Sequence, residues 1–360
     1  MLNAQFPIAT TLKYNFPSPK ETLQLHQLPK HFIDLSLQSL KQTKHQQILP
    51  TKKTTTQFST HQRPQPPIPT TELLTLTPNP TTTNIVAIDV SSVRLGETKT
   101  GILLGVRGAV VWKNLDHYRY LRLGPFPFHI TQHIENRIRG LHHQNHAASY
   151  LQENSIPQAY FVQSRLTTLL ERWIQSSITH TTHNSIILWD GSLTAGTAET
   201  SVSTMQELLA TARSNRNMIL AFSKMTRLSL QGLRLTDLIK HTPPCLLRIK
   251  EYTDCIGPLR LMGNVYVAKF TKGNFAFRMD ADKQLPSVRV VDAVQNLLGN
   301  DLILQSYPET LRLAHIFSTF TATEVLGLQR CIIQKSNLKI VTKLNMHRLL
   351  FGRFGKGSEG

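Results

Sequence analysis

Hydrophobicity along the chain changes period several times, and those changes set out its elements. In the run Asn84-Ile85-Val86-Ala87-Ile88-Asp89-Val90-Ser91-Ser92, Ile85 to Ile88 are apolar at consecutive positions, the pattern of a strand buried on both faces. Ile186 to Trp189 repeats it and stops abruptly at Asp190-Gly191-Ser192. Each run therefore brings an aspartate, followed by small hydroxyl residues, to the edge of a sheet. After a turn around Gly96, Thr100 to Trp112 reads as a hairpin partner of the first run. Tyr118 to Leu123 reads as a third strand that ends before Gly124-Pro125-Phe126-Pro127.

Residues 131–153 and 156–178 take helical period. The second of these carries Phe161, Leu166, Leu169, Leu170, Trp173 and Ile174 as its apolar stripe, with Glu171 inside it. Thr204 to Asn215 predicts a helix, and Asn217 to Phe222 a strand that runs into Ser223-Lys224. Three strands, helix, strand, helix, strand is the order of an RNase H-like α/β core, a mixed five-stranded sheet with flanking helices. In it the first and fourth strands are parallel neighbours, which places Asp89 beside Asp190. Beyond Leu228 the chain predicts a C-terminal α+β elaboration. Its parts are a helix over Leu230 to Lys240, a break at Pro243-Pro244, a hairpin over Asn264 to Met279 turning at Gly273-Asn274, and a helix over Val288 to Leu298.

Upstream, residues 20–48 show one amphipathic helical arm, open to a break at Pro29. Residues 51–83 are rich in Thr, Pro and Gln, which predicts a linker or extended arm. The domain reading is thus 1–83 as arm, 84–335 as core, and 336–360 as a basic tail.

Charge adds a partner class. The 360 residues hold 40 Lys and Arg against 22 Asp and Glu, a net +18, and the excess is spread along the chain. Such a field suits a polyanion, nucleic acid above all, and makes each strand-end carboxylate stand out. Three cysteines without a Cys-x-x-Cys spacing support neither a disulfide framework nor a cysteine zinc site, so a reducing, cytoplasmic location is expected. Ile102 to Trp112 is interrupted by Arg107, so no run reaches the length of a membrane span.

Phosphodiester hydrolysis calls for hard divalent ions held by oxygen ligands, and two carboxylates on adjacent strand ends meet that need. Glu171, on the helix leading into the Asp190 strand, is the choice for a third carboxylate, with Glu97 and Glu135 as alternatives. Lys224, at the end of the next strand, can hold a scissile phosphate, and Arg227 is a poorer candidate for the same work. Near the C-terminus Tyr307-Pro308 is followed by Ala314-His315 on a helix. A phenol can donate to phosphate or stack on a base, and an imidazole can ligate a metal or move a proton. His142, His143 and His146 include an i, i+4 pair without the Glu of a His-Glu-x-x-His zinc site.

Taken together, Ala87-Ile88-Asp89-Val90-Ser91-Ser92, Leu188-Trp189-Asp190-Gly191-Ser192-Leu193, Ala221-Phe222-Ser223-Lys224 and Tyr307-Pro308 through Ala314-His315 resemble the successive motifs of the NurA nucleases over residues 84–330. The resemblance implies an RNase H-like fold and Mn²⁺-dependent (or Mg²⁺-dependent) 5′ to 3′ exonuclease activity on DNA with single-strand endonuclease activity. It also implies a homodimer and a HerA-type hexameric translocase as partner in DNA end resection. By that resemblance Asp89, Glu171, Asp190 and His315 hold metal, while Lys224 and Tyr307 complete the site. One position departs from the family pattern: Val90 stands where glycine usually follows the aspartate. A Cβ there is expected to crowd a phosphate or metal-bound water, which favours a second possibility, a DNA-gripping partner of a translocase with weakened activity. An actin- or sugar-kinase-like ATPase would need glycine-rich phosphate loops downstream, and none is found.

Overall fold

A computed structural model of the chain describes residues 30–41, 47–48, 71–98, 100–131, 158–197, 200–224, 226, 228–230, 233–239, 242–250, 255–256, 259–336 and 339–340. Nine strands form its main sheet: β1 (Thr71–Thr75), β2 (Asn84–Glu97), β3 (Gly101–Asn114), β4 (His117–Thr131), β5 (Ser185–Asp190), β6 (Met218–Ser223), β7 (Cys245–Ile249), β8 (Gly263–Lys269) and β9 (Phe277–Asp282). Their spatial order is β1-β7-β8-β9-β6-β5-β2-β3-β4. Within it β4-β3-β2-β5-β6 is the RNase H-like arrangement, with β2 parallel to β5 and β5 to β6, and β3 antiparallel to both its neighbours.

The sheet is larger than the five strands expected. β9 adds antiparallel to β6, and β8, β7 and β1 follow in turn. Thr71–Thr75, assigned by composition to an extended arm, is the outermost of these: exposed Thr71, Leu73 and Thr75 alternate with half-buried Glu72 and Leu74, and all five residues pair in register with β7. Two further expectations are corrected. The third strand does not end at Leu123 but continues to Thr131, with an irregularity in the pairing opposite Val106 to Gly108 that lets it pass the Gly-Pro break. Leu230 to Lys240 is not a helix: Ser229–Leu230 pairs with Leu233–Arg234, and Leu235–Leu238 forms one 3-10 turn. Its leucine spacing imitates helical period, but a two-residue hairpin ties the first part down.

Helices cover both faces. On one, α2 (Gln158–Thr181) and α3 (Val202–Ser214) bury Leu166, Leu170, Ile174, Met205 and Leu209 against Val86, Ile88, Ile187 and Trp189. A Cβ at Gly108 would lie 2.4 Å from Ile174 Cδ1, so the bare backbone there is what lets α2 settle onto β3. The helix at the start of the described chain, α1 (Lys30–Lys41), sets Phe32 edge-on to Phe126 and Phe128 of β4. On the other face α4 (Ser287–Asn300) and α5 (Glu309–Ser318) pack Val290, Val294, Leu297, Leu311 and Ala314 against Ile85, Ala87, Leu188 and Phe222. The chain then enters α6 (Ala322–Ser336). Strands sandwiched in this way have no polar face, which is why β2 is apolar from Ile85 to Ile88 and β5 from Ile186 to Trp189, up to their aspartates. Among the described residues, no helix is long and apolar enough to cross a membrane. The tail beyond residue 340 and the first helical segment predicted after Thr131 lie outside the described residues.

Candidate metal centre

Register puts the two aspartates side by side. Ile88 pairs with Trp189 across β2 and β5, so Asp89 and Asp190 are the next residues along on parallel neighbours. Side chains alternate along a strand, so both share the face of Ala87 and Leu188, the face that α5 covers. The turn after Asp190 is held from several sides. Gly191, at φ +122°, donates its N–H to Phe222 O at 2.7 Å, and its carbonyl accepts from Ser223 Oγ at 2.7 Å. That backbone conformation, not space, is the reason for glycine here. Leu193 N donates to Asp280 Oδ2 at 3.0 Å, and Asp280, fully buried, is gripped by Arg278 through two hydrogen bonds of 2.7 and 2.6 Å.

α5 brings the third donor. His315 Nδ1 lies 3.1 Å from Asp89 Oδ2 and 4.0 Å from Asp190 Oδ2. One ligand atom from each of Asp89, Asp190 and His315 falls within 4.8 Å of the other two, the arrangement of a shared ion site. Ser318, one helical turn after His315, donates its hydroxyl to the same Asp89 oxygen, and Ser91 Oγ lies 2.7 Å from Ser318 Oγ. Lys224 Nζ sits 2.5 Å from Asp190 Oδ2 and 5.8 Å from the centre of the Tyr307 ring. Asp89 keeps only 9% of its side chain exposed, against 36% for Lys224 and 45% for His315, so the cluster opens to solvent on the Lys224 and His315 side.

The charges are not independent. Burial acts to raise the Asp89 carboxyl, but hydrogen bonds from His315 and Ser318 outweigh it and hold the group below the usual carboxylate range. Asp190 goes the other way: burial raises it, Asp89 adds to the rise, and Lys224 opposes. Tyr307 is buried, and burial with the two aspartate charges pushes its phenol upward. Its hydroxyl is buried and has no hydrogen-bond partner among the described residues.

α5 is anchored from beneath at its C-terminal end. Arg107 Nη1 donates to Thr319 O at 3.1 Å and Arg122 Nε to Phe317 O at 3.2 Å, and both arginines pair with Glu324. Arg107 is buried, with Phe320 stacked 4.2 Å from its guanidinium. This anchor fixes the turn from which His315 and Ser318 reach Asp89.

The described fold is similar to NurA nuclease structures. The NurA nuclease from Sulfolobus solfataricus matches at 17% identity over 74% of this chain and 88% of that chain, with a TM-score of 0.45. A second NurA structure matches at 8% identity over 72% and 90%, with a TM-score of 0.43. An endonuclease V from Bacillus subtilis matches at 11% identity over 73% and 87%, with a TM-score of 0.33. No family model and no curated protein matches the chain.

Of the residues singled out from the NurA-like motifs, the structure brings together Asp89, Asp190, Lys224, Tyr307 and His315. Glu171 is not in the group. Its helix packs on the opposite face of the sheet, and its carboxylate accepts from Gln175 Nε2 at 3.0 Å. It is near enough to feel the site: burial, with the charges of Asp89 and Asp190, pushes it up to about 7 against the pull of Arg172. Glu97 is paired with Arg94 at 2.5 Å. Glu135, Arg227 and the histidines at 142, 143 and 146 lie outside the described residues. Ser318 and the Arg107, Arg122 and Glu324 anchor were missed, while Ser91 is one of the small hydroxyl residues that follow Asp89 in the sequence. The one available signal was that Ser318 is three residues past His315, on the same side of a helix.

Val90 does not crowd the centre, contrary to expectation. One residue past Asp89 on a strand, it faces the other way and packs with the core under α2, 3.6 Å from where a Gly108 Cβ would stand. Val90→Gly is therefore expected to leave cleavage rates unchanged while costing roughly 2–3 kcal/mol of stability, from lost apolar burial and added chain freedom. Urea unfolding beside a rate measurement checks both; a faster enzyme would restore the crowding view.

Proposed function

We propose that the chain is a metal-dependent DNA nuclease. The observation that carries this reading is the convergence of Asp89, Asp190 and His315 donor atoms within 4.8 Å at the carboxyl edge of two parallel strands, with Lys224 alongside. Two carboxylates and an imidazole suit Mn²⁺ or Mg²⁺. An ion held by Asp89, Asp190 and His315 would lower the pKa of an attacking water and offset charge on the scissile phosphate.

The side chains divide the remaining work. Ser318 and His315 fix the rotamer of Asp89 and keep it ionised. Lys224, exposed on the open side, offers positive charge to a non-bridging phosphate oxygen, and the buried Tyr307 ring lies 5.8 Å from its ammonium and backs it. The net +18 of the chain favours association with a polyanion. The nuclease unit is assigned to 84–335, with Thr71–Thr75 as an added edge strand. The order of the four motifs further supports 5′ to 3′ exonuclease and single-strand endonuclease activity on DNA, a homodimer, and a HerA-type translocase as partner in end resection. With Val90 turned away, the non-cleaving alternative loses the position that favoured it.

Incubation of 5′-labelled DNA with the protein in Mn²⁺ is expected to release the label as short products, and chelation by EDTA to stop it. Intact label under both conditions would leave a DNA-binding protein without nuclease activity.

A further inference from the structure

A second site lies at the other end of the same strands. A groove of about 510 Å³ opens where β2 and β5 begin, between the β3–β4 hairpin and the last turn of α2. At about 3.3 Å per residue, Ser185 in the groove and Asp190 in the metal centre are roughly 17 Å apart along β5. The groove is built across the sheet: Val86 pairs with Trp112 and Trp112 with Arg119, and in the next row Asn114 pairs with His117. Those residues line it together with His183 from beyond α2. Its base is thus an apolar and indole surface, and its rim is amide and cationic. No carboxylate lines it among the described residues.

Several details bear on what it takes. Trp112 is half-buried, with its ring packed at the edge of the core. Arg119 lines the groove and makes no ion pair among the described residues, so its guanidinium is not already matched by a carboxylate. Carbonyls at the end of α2, which would repel an anion, are capped: Asn215 Nδ2 donates to Thr179 O at 2.9 Å and Asn217 Nδ2 to Thr182 O at 2.6 Å. An aromatic surface ringed by a guanidinium, imidazoles and amide groups is chemistry that can hold an unpaired nucleotide.

We propose that this groove binds one nucleotide of a single-stranded nucleic acid, its base on Trp112 and its phosphate against Arg119, His117 and His183. It gives the chain a second grip on the strand, away from the edge where cleavage is assigned. The site does not depend on the nuclease reading and would persist in a protein that cuts nothing.

The test titrates the full chain, in EDTA, with an oligo-dT of roughly 15 nucleotides while tryptophan emission is followed. Of the three tryptophans Trp189 is buried and Trp173, half-buried on α2, does not line the groove, so a saturable quench is expected to come from Trp112 and to be lost in Trp112→Leu but kept in Trp173→Leu. Arg119→Glu is expected to raise Kd about tenfold and to lower the salt dependence by about one counterion. A quench that survives Trp112→Leu, or affinity unchanged by Arg119→Glu, overturns the proposal. So does binding that weakens only with Lys224→Met, which would place the whole strand at the catalytic edge. Oligo-U in parallel distinguishes DNA from RNA as the strand held.

Discussion

Asp190→Asn is expected to lower the rate of DNA cleavage on the order of a thousandfold or more, about 4 kcal/mol in the barrier, without loss of stability. The size follows from position. Asp190 is the point where His315, Lys224 and, by register, Asp89 meet, so removing its charge removes one of two carboxylates available to a shared ion. The unchanged stability follows from the cost of that charge in the folded chain, since burial and Asp89 already push the Asp190 carboxyl upward. Asparagine keeps the shape and lets β5 end as before. Initial rates on labelled DNA with Mn²⁺, beside a thermal unfolding midpoint, check both halves. A variant that cuts at more than a tenth of the wild-type rate would remove Asp190 from the site.

Lys224→Met is expected to lower kcat by about 10²–10³, with a smaller change in KM. Its ammonium is the cation of the described cluster that can turn to substrate, being more exposed than the carboxylate it touches. At saturating Mn²⁺ the loss should persist, because Lys224 neutralises phosphate charge and does not ligate metal. Lys224→Arg should recover part of the rate, keeping the charge while changing its reach. A loss that disappears as Mn²⁺ is raised would mean that the lysine acts only on ion binding.

The aspartates, Lys224 and His315 were legible because each sits where a period breaks: at the end of an apolar strand or on the face of a short amphipathic helix. Strand parity also contains the answer for Val90, since a residue next to an inward aspartate must face away. Composition and motif comparison ignore parity, and so misplace it. Glu171 shows the opposite limit. Its place on the helix leading to β5 is plain in the sequence, but which face of the sheet that helix covers depends on packing against Gly108 and Trp189, residues far away in the chain. Ser318 and the Arg107 anchor act through single hydrogen bonds that leave no periodic trace. The added strands β7 to β9 are short and depend on pairing with one another, so their membership of the main sheet is a tertiary fact.

Titration of Mn²⁺ into the protein, followed by loss of the free-ion paramagnetic signal, tests the shared metal centre most directly. Saturable binding is expected in wild type, weakened in Asp89→Asn and Asp190→Asn by more than the ~10–100-fold that loss of an outer partner costs, while Glu171→Gln binds nearly as wild type. Equal affinity in wild type and Asp190→Asn, or a loss in Glu171→Gln as large as in the aspartate variants, would contradict a centre built from Asp89, Asp190 and His315.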